Sequence, residues 1–328
     1  MSVRGFKNYQ MKYLQKRVNY SRRPVQVRAM KLYGILLSLV FAAFIKTQAQ
    51  PWNKDSVKTG ELIKLDHSFA FTEGPVSDKA GNLYFTDQPN NAIWEYTIHN
   101  QFQLYKQPAG RANGMYGDGA GNLLVCADLY NQIWRIHLRT KNVDTLLSNY
   151  EGRLFNGPND LWTDKQGGIY FTDPYYQRDY WARQKPEQDK ACVYYLPKGA
   201  HEAIRVLDYL VKPNGIVGSK DGKYLFVSDI EGKKIYRFDR GANGALLNAK
   251  VVLHHVADGI TIDQNDHLYL SGNGVTIIDK AGRIINYIKV DEPWVSNLSF
   301  GGKNHDVLFI TASTRLYKIQ TDQKGVMP

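Results

Sequence analysis

The sequence predicts an all-β protein, a six-bladed β-propeller with four-stranded antiparallel blades, on three observations. A short motif that sets Asn, Asp or Glu beside Gly, Pro or Ser recurs six times: Thr72-Glu73-Gly74-Pro75, Ala112-Asn113-Gly114, Gly157-Pro158-Asn159-Asp160, Pro213-Asn214-Gly215, Ala257-Asp258-Gly259 and Val295-Ser296-Asn297. The polar residues are 40, 46, 55, 44 and 39 positions apart, which is the spacing of propeller blades. Each motif also precedes an apolar run of one type, such as Leu83-Tyr84-Phe85-Thr86-Asp87 or Ile169-Tyr170-Phe171-Thr172-Asp173.

Each repeat is read in the same order. The motif is taken as a turn, because Asn, Asp and Gly are turn formers. A hairpin turn follows, for example Ala80-Gly81-Asn82 or Ala120-Gly121-Asn122, and leads into the apolar run as the second strand. A third strand with aromatic and aliphatic alternation comes next, as in Ala92-Ile93-Trp94-Glu95-Tyr96 and Lys234-Ile235-Tyr236-Arg237-Phe238. The ring is expected to close by pairing residues near Gly60 to Leu65 with the last repeat, which protects the free edges. The longest insertion, Asp173 to Ala191, carries Tyr175, Tyr176, Tyr180 and Trp181 among charges. It reads either as a substrate wall over the central face or as a surface loop packed on itself.

The formal charge of +11 first suggests a nucleic-acid or membrane-surface partner. It is concentrated at one end. Residues 1–50 hold ten of the 42 Lys and Arg and no acid, leaving 32 basic against 31 acidic residues in the rest. The remainder is nearly neutral, so no nucleic-acid partner is expected. Residues 1–29 read as a basic upstream extension. Residues 30–49 read as a secretory signal: Lys31, an apolar stretch from Leu32 to Ile45, and the small-residue site Thr47-Gln48-Ala49. That stretch is shorter than the roughly 20 residues a membrane-spanning helix needs. The expectation is an exported, periplasmic or secreted protein with no stable membrane insertion after cleavage, its single propeller domain filling 50–328. The two cysteines, Cys126 and Cys192, lie in strand-like runs of different repeats and are expected to be buried thiols.

In a radial array, equivalent positions of successive repeats fall on a ring about one axis. Glu73, Asn159, Asn214 and Asp258 hold that position in repeats one, three, four and five. Two carboxylates and two amides offer hard oxygen ligands suited to one divalent cation, Ca2+ first, with Mg2+ or Mn2+ as alternatives. A set without His or Cys argues against a structural zinc centre. Turn formation explains the Asn and Asp residues individually, but not a Glu at position 73. Arg111 and Asn113, from repeat two, are candidate contacts to substrate hydroxyls, and Tyr175 of the insertion is a candidate substrate wall. The eight histidines form no ligand pattern. There is no nucleophile elbow, phosphate-cradling loop or Ser-His-Asp order.

These residues resemble the senescence marker protein and gluconolactonase family, which includes luciferin-regenerating-enzyme-like members and is built on six-bladed propellers. The likeness runs from about Glu61 to Ile319. It rests on Glu73-Gly74-Pro75, Asn156-Gly157-Pro158-Asn159-Asp160, Tyr170-Phe171-Thr172-Asp173-Pro174, Pro213-Asn214-Gly215, Asp258-Gly259 and Ser296-Asn297-Leu298-Ser299-Phe300-Gly301-Gly302. It implies a calcium- or zinc-dependent lactonase acting on a small-molecule sugar lactone. Glu73, Asn214 and Asp258 would be metal ligands, Asn159 a fourth ligand or substrate contact, and Asp160 a supporting residue. Asp258 is the expected base, with Asn159 and Asn214 orienting the carbonyl. Two departures bear on the substrate: Gly157 stands where some relatives carry a sugar-acid-binding Arg, and Ala127-Asp128 stands where others carry a Glu-His pair. Phosphotriester hydrolysis on the same ligands and a non-catalytic sugar- or protein-binding propeller are the alternatives.

Overall fold

Alternating runs of Leu, Tyr, Phe, Val and Ile pair with their neighbours in sequence throughout the computed structural model, which describes residues 56–327. The predicted leader, residues 1–49, lies outside the described residues. Among the described residues the strands form six four-stranded antiparallel sheets, and helix is confined to two short 3-10 turns, Gln88–Asn90 and Ala242–Gly244. No helix among them is long and apolar enough to cross a membrane.

Blades one to five each use four consecutive strands. Blade six joins Val295–Gly301, Val307–Ala312 and Arg315–Thr321 to the first described strand, Thr59–Lys64. Leu62 pairs with Ile319 and Lys64 with Tyr317, so the first and last described strands share one sheet, as the sequence predicts. The apolar runs are the second strands, for example Leu83–Asp87, Ile169–Asp173 and Tyr224–Asp229. They are buried along their whole length except at Tyr224. The core lies between blades: Trp162 and Tyr170 of blade three pack with Val217 and Phe226 of blade four. Cys126 and Cys192 are free and buried, and burial pushes the Cys126 thiol well above its ordinary pKa.

One expectation is corrected. The six motifs are not turns before the second strands: they lie in, or immediately before, the first strand of each blade. Those strands are Thr72–Ser77, Ala112–Gly117, Leu161–Thr163, Pro213–Gly218, Ile260–Ile262 and Val295–Gly301. First strands of adjacent blades contact one another around the axis. Pairing slips at the motif in blades one, two, four and six, between Glu73 and Val76, Ala112 and Met115, Pro213 and Ile216, and Val295 and Asn297. These are β-bulges, which bend a strand and re-aim one side chain. Bulges and turns draw on the same residue types, which is why the sequence pattern suggests turns.

Candidate active site at the propeller axis

A glycine follows the ring residue in four of the six blades, Gly74, Gly114, Gly215 and Gly259, and it has a packing role. The Gly114 N–H donates to the Asn159 carbonyl at 2.7 Å, and the Gly215 N–H to the Asp258 carbonyl at 2.8 Å. A Cβ on Gly114 would sit 2.5 Å from that Asn159 oxygen, and one on Gly215 would sit 2.4 Å from that of Asp258. Only glycine allows the inner strands to approach so closely. This stitching carries the ring residues of successive blades around the axis. Blades three and six break the pattern, with Asp160 and Leu298 where the other four have glycine.

Side chains from distant blades meet there. Asn297 Nδ2, from blade six, donates to Glu73 Oε2 of blade one at 3.2 Å and to Asp160 Oδ2 of blade three at 3.4 Å. Asp258 Oδ2, from blade five, accepts the indole N–H of Trp294 at 2.6 Å. Asn214 of blade four donates from Nδ2 to the Tyr176 hydroxyl at 3.1 Å and also bonds to Asp258. Asn159 is nearly buried in the same ring, its N–H given to the Thr172 carbonyl at 2.8 Å.

The electrostatics follow from dense burial of like charge. Burial first, then the negative charges of Asp258 and Asp160, hold the Glu73 carboxyl well above its usual range, against donation from the Gly74 N–H and Asn297. Burial raises Asp258 to about 6, although Trp294, Asn214 and the Arg178 charge favour its ionised form. Burial likewise raises Asp160 to about 7. Among the described residues neither Glu73 nor Asp258 forms a salt bridge. Buried carboxylates carry a large desolvation cost unless a cation compensates them. Two such carboxylates, with the Asn214 amide bonded to Asp258, fit a hard divalent ion. No larger group of three or more His, Cys, Asp or Glu arranged to hold a metal is found among the described residues, so the fit depends on mixing carboxylates with amides.

The other predicted residues lie around this ring. Asn113 is buried in the first strand of blade two. Arg111, two residues earlier, has a left-handed backbone with φ of 47°. It donates to the Pro89 carbonyl at 3.1 Å and stacks over the Tyr180 ring at 4.3 Å. The Tyr175 hydroxyl is turned to Gln177 within the insertion. Its neighbour Tyr176 is the tyrosine that reaches Asn214. Four residues close to the site stand outside the sequence prediction: Trp294, Tyr176, Arg178 and Asp128. Trp294 lies three residues before the sixth motif's Asn297, and no local pattern marks it. Tyr176 and Arg178 belong to the insertion whose aromatic and charged composition does stand out.

Residues 71–314 match the SMP-30/Gluconolactonase/LRE-like region, and the chain belongs to that family. It is 29% identical to a gluconolactonase of Zymomonas mobilis over 302 residues, covering 81% of this chain and 82% of that one. The solved structure of a gluconolactonase from Xanthomonas campestris superposes with a TM-score of 0.74 at 25% identity, over 83% of this chain and 96% of its own. The calcium-binding protein regucalcin of Agrobacterium tumefaciens shares the fold, with a TM-score of 0.65 at 16% identity over 81% of this chain and 94% of its own.

Proposed function

We propose that the protein is a divalent-metal-dependent lactonase that opens a sugar lactone by hydrolysis, outside the cytoplasm as the leader predicts. The observation that carries the reading is the pair of carboxylates Glu73, buried, and Asp258, half-buried, which have no salt-bridge partner among the described residues and are set with amides at the axis. Support for the substrate class comes from relatives described as gluconolactonases. On this reading Glu73, Asn159, Asn214 and Asp258 are the ligands of one cation, Ca2+ first, with Zn2+, Mg2+ or Mn2+ as alternatives.

Such an ion, when bound, supplies Lewis-acid polarisation of a carbonyl and lowers the pKa of water. The chain's own residues do the rest. Asp258 accepts the proton of the attacking water as general base. The Trp294 N–H, at 2.6 Å from Oδ2, fixes the carboxylate's orientation. Asn159 and Asn214 orient the lactone carbonyl. Arg111 and Asn113 contact substrate hydroxyls from blade two.

The reading is tested by incubating the purified, Ca2+-loaded protein with glucono-1,5-lactone and following acid release in a pH-stat. Opening well above the buffer rate is the expected result. Turnover of a phosphotriester but of no lactone would overturn the substrate class. Failure on both, with metal retained, would make the protein a binding propeller.

A further inference from the structure

The acid that ends the second strand has a common task in three blades. Asp87 accepts the backbone N–H groups of Ala70 and Phe71, Asp173 those of Asn156 and Gly157, and Asp229 those of Val211 and Lys212. In each case the carboxylate straps down the loop that leads into the first strand of its own blade. The corresponding place in blade two is Ala127, which pairs with Ala112 as Asp87 pairs with Thr72 and Asp229 with Pro213, so blade two has no carboxylate there. There the loop is strapped by Asn91, whose Oδ1 accepts the N–H groups of Ala109 at 3.0 Å and Arg111 at 2.7 Å.

Asp128, one residue further on, is turned to the blade-three insertion. It is only 1% exposed. Its Oδ2 accepts Arg178 Nε at 2.9 Å, Gln88 Nε2 at 3.1 Å and the Tyr180 hydroxyl. Its carbonyl accepts the Trp181 indole N–H at 2.9 Å. Four contacts therefore converge on one residue, three of them from the insertion. The held segment reaches the ring, because the Tyr176 hydroxyl meets Asn214 at 3.1 Å. Arg178 lies over the Tyr176 ring at 5.7 Å, near enough to Asp258 for its charge to favour that carboxylate's ionised form. Both side chains remain partly open to solvent. Since Asn214 donates into the Tyr176 oxygen, the phenol hydrogen is directed to another acceptor.

We propose that Tyr176 and Arg178 bind substrate oxygens at the axis, and that Asp128 is the positioning residue that clamps them there. A phenol and a guanidinium offer hydrogen-bond donors, so the group they recognise is an acceptor-rich one, such as the hydroxyls and ring oxygen of a sugar lactone. This inference rests on the lactonase reading and adds a wall to its site, which the sequence prediction assigned to Tyr175.

The test is a double-mutant cycle on the full protein, with glucono-1,5-lactone as the probe. Tyr176→Phe and Arg178→Met are each expected to lower kcat/KM about 10- to 100-fold, the loss lying in KM, as removal of a hydrogen bond to a charged or well-placed group does. Asp128→Asn should reproduce the Arg178→Met loss and add little to it in the double variant. A merely structural Asp128 would instead lower activity to the same degree in both backgrounds, and that result would overturn its positioning role. Wild-type KM in both Tyr176→Phe and Arg178→Met would overturn the substrate contact even if Asp128→Asn failed to fold. An inactive wild type would overturn the lactonase reading and this inference together, which separates the two failures.

Discussion

An Asp258→Asn variant is expected to open lactones with kcat/KM about a thousandfold below wild type, within the range that loss of a general base produces. The side chain is half-buried at the axis and bonds to Trp294 and Asn214. Its amide replacement keeps volume and can keep the Asn214 region packed, so the fold should survive. The substitution removes a negative charge and a proton acceptor at one stroke. A measurement of kcat/KM beside a thermal melt separates the outcomes: loss of turnover with an unchanged melt assigns Asp258 to the chemistry. Unchanged turnover in a folded variant would remove it from the mechanism.

The second large effect concerns stability without the ion. Glu73 and Asp258 both have folded-state pKa values raised above the ordinary carboxylate range. Such groups favour the folded state while protonated. Their contribution is fully present below the unfolded-state value near 4 and is lost as pH rises through the folded-state value, about 6 for Asp258. Chelator-stripped protein is therefore expected to lose stability between about pH 4 and pH 7 through this pair. Ca2+ at a hundredfold over its Kd should then raise Tm at pH 7.5 by about 5–10 °C, since only the folded state holds the site. The Glu73→Gln variant, freed of one buried like charge, should melt higher than stripped wild type and respond little to Ca2+. A stripped wild type that melts higher at pH 7.5 than Glu73→Gln would show that the carboxylate pair is not strained by its own charge.

Much of the architecture was legible because propellers repeat. Six strand runs ending in Thr-Asp, Ala-Asp or Ser-type residues, at blade spacing, gave the blade count, and the terminal apolar segment near Leu62 gave the closing strand. Ring residues were legible for the same reason: repetition places Glu73, Asn159, Asn214 and Asp258 at equivalent positions without any knowledge of distance. What repetition hides is a repeat that has changed its task. Blade two has Ala127 where blades one and four have Asp87 and Asp229, Asn91 straps the loop in its place, and only the contacts of the next residue, Asp128, reveal that it holds the insertion. Tyr176 and Tyr175 are indistinguishable as letters. Which one reaches the ring depends on how an eighteen-residue loop, 174–191, crosses two blades, and local propensity does not encode that path. The six motifs suggest turns where the structure has bulges because both place similar demands on the backbone, as the positive φ of Gly74 illustrates.

The account depends on oxygen ligands from four blades gripping one cation at the centre of the ring. Calorimetric titration of chelator-stripped wild-type and Glu73→Gln protein with Ca2+ tests this most directly. One site per chain in the wild type, lost or weakened by two or more orders of magnitude in the variant as removal of a charged ligand demands, is the predicted result. No binding to the wild type by Ca2+, Zn2+, Mg2+ or Mn2+, or binding that Glu73→Gln leaves unchanged, would contradict it.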